Sequence, residues 1–238
     1  MSERFRGPTP SSPAALAVAT VVTGVLAGVA GMGLALLLRA VQHVAFGYDL
    51  FRLNGGASFL QGVSAASPVR RVAALCACGL VAGVGWWLVR GRLAPLVSVR
   101  KAVDAEGHRM PLAATTWHAL LQIVTVGLGS PLGREGAPRE IAAAHAGRLA
   151  RAMKLTGDET RVLVASAAGA GLAAVYNVPL GGALFALEGL LGTFRFSSVL
   201  PALATSCIAS MVAWIGLGDV PSYAFAPEAI SVPLVAWS

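Results

Sequence analysis

The sequence predicts an all-α protein that crosses a membrane several times. Three observations carry that expectation. Apolar residues make up 56% of the 238 residues and charged residues only 12%, where a soluble domain carries roughly 25% charged. Mean hydropathy is +0.71. The 28 glycines suit helices that pack closely in lipid, where small residues let backbones approach.

Several function classes are disfavoured at once. The formal net charge of +7 does not describe a nucleic-acid binder, because the basic residues punctuate apolar runs and form no single cluster. Such punctuation reads as a topology signal. Cys76, Cys78 and Cys207 are too few for a disulfide framework, and Cys76-Ala-Cys78 lacks zinc spacing and a neighbouring histidine. They read as small lipid- or helix-facing residues. The four histidines are scattered. No nucleophile, base or metal constellation stands out, so neither an enzyme nor a bound metal or cofactor is expected.

Taken in order, residues 1–13 are rich in Pro, Ser and Arg and read as a disordered tail; residues 14–238 read as one membrane domain. Ala14–Leu38 is uncharged, too long for a signal h-region and long enough to span. It carries Gly24, Gly28, Gly31 and Gly33, a small-residue face, and Arg39 is expected to end it. A polar connection, His43–Pro68, follows. Val72–Val89 is the second span, with Gly79-x-x-x-Gly83. Arg90, Arg92, Arg100 and Lys101 come after it, and Arg4 and Arg6 precede the first span. By the positive-inside rule the N-terminus and the 90–110 loop are cytoplasmic. Leu93–Val103 is too short to span.

Pro111–Leu132 is the third long segment, softened by His118 and Gln122. Next comes the least membrane-like stretch, Gly127–Pro138. Four glycines, two prolines and Arg134-Glu135 fall within it. It reads as a loop becoming a helix N-terminus, whose backbone N–H groups attract anions. It also places Glu135 among apolar segments, where a charge is costly and points to function. Ile141–Leu155 reads as a half-helix running out to a basic interface at Arg148, Arg151 and Lys154.

Thr156-Gly-Asp-Glu159 is a polar turn before the next helix. Val162–Leu187 carries no charge, yet Val178 precedes Pro179 and is biased out of the α region. Two helices are therefore expected, about 160–175 and 179–191, meeting at Tyr176-Asn177-Val178. Val199–Leu217 is the last full span. The run 230–237 reads as the start of a further helix at which the chain stops.

Two elements now stand together: Gly133-Arg-Glu-Gly136 at a helix start, and Ala167-Ala-Gly-Ala-Gly-Leu-Ala-Ala-Val-Tyr-Asn-Val-Pro-Leu-Gly-Gly-Ala-Leu-Phe-Ala-Leu-Glu188. With the Gly157-Asp-Glu159 turn between them, they resemble the CLC family of chloride channels and chloride/proton exchangers. The likeness runs from about residue 14 to the end and covers the first inverted-repeat half of the family's subunit, with tilted and broken helices. It implies a homodimer in a lipid bilayer, chloride as the transported ligand, and a second half-domain to complete each path. It matches Glu135 to the family's gating glutamate. Gly133, Arg134, Glu135, Gly136 and Ala137 match the backbone whose N–H groups meet the ion. Glu188 matches a glutamate on a possible proton route. A bacterial-type plasma membrane is the expected location.

Four departures qualify the resemblance. Ala137 stands where the family has proline, and Pro138 follows. Ala94 stands where the family's serine hydroxyl holds chloride. Gly189 replaces a second inner glutamate, which leans the reading toward a channel or weakly coupled carrier. The family's second half lies outside the sequence. The rival expectation is a non-conducting scaffold or regulatory relative, or an inactive truncated half.

Overall fold

The computed structural model describes residues 12–47, 59–104 and 109–219. Among them there are helices and no strands. Helix α1 (Pro13–Phe46) starts at Ser12, whose hydroxyl accepts the Ala15 N–H at 3.2 Å; Pro13 occupies the first turn, where a missing donor costs nothing. The tail expected over 1–13 therefore gives up Ser12 and Pro13 to α1, and its residues 1–11 lie outside the described residues. Arg39 does not end the helix. A single arginine is a good helix former, and termination waits for Gly47, whose left-handed conformation (φ 78°) lets its N–H bond His43 O at 2.8 Å.

The polar connection is only partly described: residues 48–58 lie outside, and Phe59–Ala65 forms the short helix α2. Helix α3 (Pro68–Arg92) opens four residues before the expected span because Ser67 caps it, accepting the Arg70 N–H at 3.3 Å. Arg70 then folds back onto the end of α1, donating to Ala45 O and Val44 O at 2.8 Å each. Helix α4 (Val99–Val103) is a single turn capped by Ser98. Helix α5 (Leu112–Gly127) is shorter than the expected 111–132 segment. Residues 128–135 leave it as a loop, with Gly129 at φ 105°.

Helix α6 (Gly136–Ala152) begins within the glycine-rich stretch. Helix α7 (Gly157–Tyr176) starts with a capping box: Thr156 Oγ1 accepts the Glu159 N–H at 3.3 Å, and Glu159 Oε2 accepts the Thr156 N–H at 2.8 Å. The expected break is where α7 ends, at Asn177 in the left-handed region (φ 55°). Its side chain ties the break to the end of α9: Nδ2 donates to Asp219 O at 2.7 Å and Oδ1 accepts Trp214 Nε1–H at 2.8 Å. Helix α8 (Pro179–Leu184) continues as a π-helical turn over Phe185–Leu191 and stops at Gly192 (φ 63°). Helix α9 (Phe196–Leu217) follows. Among the described residues three helices, α1, α3 and α9, are long and apolar enough to cross a membrane. The run 230–237 lies outside the described residues.

Helix α7 is the hub, packed on α1, α4, α6, α8 and α9. Its buried face is nearly all Ala and Gly, from Ala165 to Ala174. Such small residues let helix axes come close, and dispersion between backbones holds them. A Cβ at Gly171 would collide with the Pro138 carbonyl, and one at Gly169 with the Gly182 carbonyl. The α1 glycines behave as expected in part. Gly24 faces Ile208, Gly28 faces Val212 and Gly31 faces Ala174, each at 2.9 Å or less from a notional Cβ. Gly33, Gly79 and Gly83 meet nothing within 4 Å. The expected Gly79-x-x-x-Gly83 packing face is thus unpartnered among the described residues, because α3 presents it alongside exposed Leu80, Val84 and Trp87. Of the cysteines, Cys78 is buried and its thiol approaches Thr125 O at 3.4 Å, while Cys76 and Cys207 are exposed.

Candidate anion site

The loop 128–135 delivers Glu135 to the N-cap of α6. The first-turn amides of Gly136 and Ala137 have no acceptor within the helix, and Pro138 has no N–H to offer. Ala137 is fully buried and Pro138 nearly so, which locks this turn against α7 at Gly171. Helix α6 is thereby held with its positive end open toward the loop.

Glu135 does not cap its own helix; its side chain makes no bond to the amides of α6. The carboxylate lies over Gly133, where a Cβ would collide with Oε2. The Tyr176 hydroxyl, at the far end of α7, donates to Glu135 Oε1 at 3.0 Å. The same hydroxyl accepts from Arg134 Nε at 3.2 Å, and the Arg134 guanidinium lies 4.9 Å from the Tyr176 ring centre. Arg139 Nε donates to the Glu135 carbonyl at 2.9 Å and its guanidinium sits 5.3 Å from the Phe185 ring centre, bracing the first turn of α6 on the π turn. From α5, Gln122 Nε2 donates to Gly133 O at 3.0 Å, and a Cβ on Gly136 would meet its side-chain amide at 2.8 Å. Gln122 Oε1 is buried without a partner.

The structure therefore gathers Gly133, Arg134, Glu135, Gly136 and Ala137 at one helix start, with Tyr176, Gln122 and Arg139 around them. In the sequence Tyr176 stands out only as part of a helix break, and Gln122 as a softening of an apolar run. A polar side chain within such a run was the available signal for both. One expectation is corrected: Glu135 is exposed, not buried among apolar segments, because among the described residues the loop forms one edge of the bundle. Glu188 is not brought to this site. It sits, exposed, on the π turn, and none of its contacts is with Glu135, Arg134 or Tyr176. His118 pairs instead with Glu140 at 2.9 Å, and His145 Nδ1 lies 2.7 Å from the Ile141 carbonyl.

The position matched to the chloride-holding serine, Ala94, is an exposed residue of the extended 94–98 stretch between α3 and α4. The hydroxyl four residues on, Ser98, is occupied in capping α4.

Comparison with known proteins gives a consistent picture. Residues 78–238 match the family model described as voltage gated chloride channel. A voltage-gated ClC-type chloride channel, ClcB, from Escherichia coli is 33% identical over 201 residues, which is 83% of this chain and 46% of the relative. ClcB of Salmonella typhimurium is 30% identical over 198 residues, 82% of this chain and 45% of the relative. The chain thus spans about half the length of the curated relatives it matches. A crystal structure of a slow cyanobacterial Cl−/H+ antiporter superposes with a TM-score of 0.66 over 87% of this chain and 48% of that one. At 21% identity this likeness concerns the fold, and it fits one half of a two-part subunit. With its membrane-length apolar helices, its helix order and its family match, the chain belongs to the CLC, or voltage-gated chloride channel, family.

Proposed function

We propose that this chain builds one wall of a chloride path and that Glu135 is its gate. The observation that carries the reading is the position of Glu135 at the N-cap of α6, with its carboxylate bonded to Tyr176 and not to the α6 amides. Amides and a helix dipole that stabilise chloride stabilise a carboxylate by the same physics. Glu135 and the ion therefore compete for the amides of Gly136 and Ala137, with Gly133 and Arg134 shaping the approach. A carboxylate on a separate hydroxyl tether can leave that place to the anion, and protonation would remove it as a competitor.

The relatives' names include both a channel and an antiporter. Gly189, beside Glu188, supports channel-like or weakly coupled transport over strict exchange. Glu188 alone remains for a proton route. The path needs a second set of helices facing α6, and the working unit is a homodimer. The bacterial relatives and the basic residues after α3 support a bacterial plasma membrane with the N-terminus in the cytoplasm. Chloride is the ligand, and no cofactor enters the scheme.

A second reading, a non-conducting relative or an inactive half, is favoured by Ala94, which offers no hydroxyl to an ion. Chloride efflux from liposomes holding the complete protein separates the two. Transport should be present and depend on pH in wild type, and lose most of that dependence in Glu135→Ala. If neither protein releases trapped chloride, the gate reading fails and the non-conducting one stands.

A further inference from the structure

Helices α5 and α6 hold a titratable pair one turn from the candidate anion seat. His118 and Gln122 stand one turn apart on α5, and Gly136 and Glu140 one turn apart on α6, so the helices meet in two rungs. In the first, Gln122 lies against Gly136 and donates to Gly133 O at 3.0 Å. In the second, His118 Nδ1 lies 2.9 Å from Glu140 Oε2. These side chains are 22% and 26% exposed, enough to exchange protons with solvent. The His118 ring also leans on Trp86 of α3, with ring centres 6.2 Å apart. Helix α5 packs on α1, α3 and α6, and the other charges on those helices are fixed, turned away or distant. On α6, Arg139 turns to the Glu135 carbonyl and to Phe185. On α3, exposed Arg90 lies beside Trp86 and exposed Arg92 beside Trp117, and a guanidinium keeps its charge at any working pH. On α1, Arg39 and His43 lie toward the Gly127 end of α5, about 13 Å from His118 along the axis.

We propose that the His118–Glu140 pair binds a regulatory proton that raises chloride affinity at the α6 amides. The proposal rests on the anion seat described above. With neutral His118 the pair carries the single negative charge of Glu140. An imidazole changes charge between pH 8 and pH 5, and with the proton on His118 the pair is neutral overall. Glu140 stands in the second turn of α6, and helix side chains lean back toward the N-terminus. Its charge therefore lies roughly 10 Å from the seat. At an effective dielectric constant of about 20, a unit charge at that distance changes anion affinity on the order of tenfold. The proton stays on the pair: no transfer to Glu135 is involved, and Glu188 takes no part. This site supplies the pH dependence that Glu135 does not carry.

The test is calorimetric titration of chloride into the complete protein at pH 8 and pH 5, in a Glu135→Gln background that removes the titration of Glu135 itself. Chloride should bind about tenfold more tightly at pH 5. Adding His118→Gln should leave binding equal at the two pH values and as weak as the background at pH 8. Adding Glu140→Gln should instead tighten binding about tenfold at pH 8. Both side chains are partly exposed and glutamine keeps a hydrogen-bonding group at each place, so both variants should fold. A pair that only fastens α5 to α6 would give the two variants the same change, and that result overturns the proposal. So does pH dependence that survives His118→Gln. Chloride binding that ignores both substitutions sinks the proton site alone, whereas no chloride binding in any of these proteins at either pH overturns the anion seat together with it.

Discussion

Tyr176→Phe is the sharpest perturbation of the candidate gate. It deletes one oxygen, the one that donates to Glu135 Oε1 at 3.0 Å and accepts from Arg134 at 3.2 Å. It keeps the ring over which Arg134 lies. A hydrogen bond to a charged group contributes about 1.5–3 kcal/mol, and water competes at this exposed position, so about 1 kcal/mol is the expected loss. That is roughly a fivefold change in a population ratio. The tether holds the carboxylate away from the α6 amides. Its removal should therefore shift Glu135 toward the anion's place and lower chloride flux about fivefold. Flux from liposomes containing the complete protein is the assay, run as a double-mutant cycle with Glu135→Ala. In the Glu135→Ala background, Tyr176→Phe should have no further effect. Equal losses in both backgrounds would mean that Tyr176 acts through packing, and unchanged flux in the single variant would refute the tether.

The scaffold can be tested separately. Gly171→Ala should destabilise the complete protein by about 1–3 kcal/mol, because its Cβ would drive into the Pro138 backbone, whereas Gly83→Ala, with nothing within 4 Å, should change stability little; thermal unfolding of both in one detergent checks the contrast. Thr156→Ala removes the Oγ1 side of the capping box and should cost about 1 kcal/mol, read as lower helix protection in hydrogen exchange at residues 157–160. Gln122→Leu removes the bond to Gly133 O and should raise exchange across loop 128–135 with little loss of global stability, since the bond contributes only about 1 kcal/mol.

Much of this architecture is legible in the sequence. The run of apolar segments, the helix start at Gly136 and the break at Asn177-Val-Pro179 follow from local chemistry: glycine and proline placement, and the restriction on a residue before proline. Helix ends were less legible. Arg39 looked like a terminus because charge is a proxy for the membrane edge, but Gly47 decides, through its backbone. Ser67 caps α3 ahead of Arg70-Arg71, two charges that hid the helix start. The π turn at Phe185–Leu191 has no signature in residue type. The site's backbone was readable from Gly133-Arg-Glu-Gly136, but its side-chain partners were not. Tyr176 lies 41 positions from Glu135 and Gln122 lies 11 from Gly133, and only the fold brings such residues together. Glu135 was expected among apolar segments because sequence neighbours suggested it, whereas exposure depends on which helices face the loop.

The central claim is that the α6 N-terminus is an anion seat for which Glu135 competes. Bromide anomalous diffraction from crystals of the complete protein tests it most directly, comparing wild type with Glu135→Gln. The account predicts a bromide peak at the Gly136 and Ala137 amides, stronger in Glu135→Gln because the competing charge is gone. The absence of bromide from those amides in both proteins would contradict it.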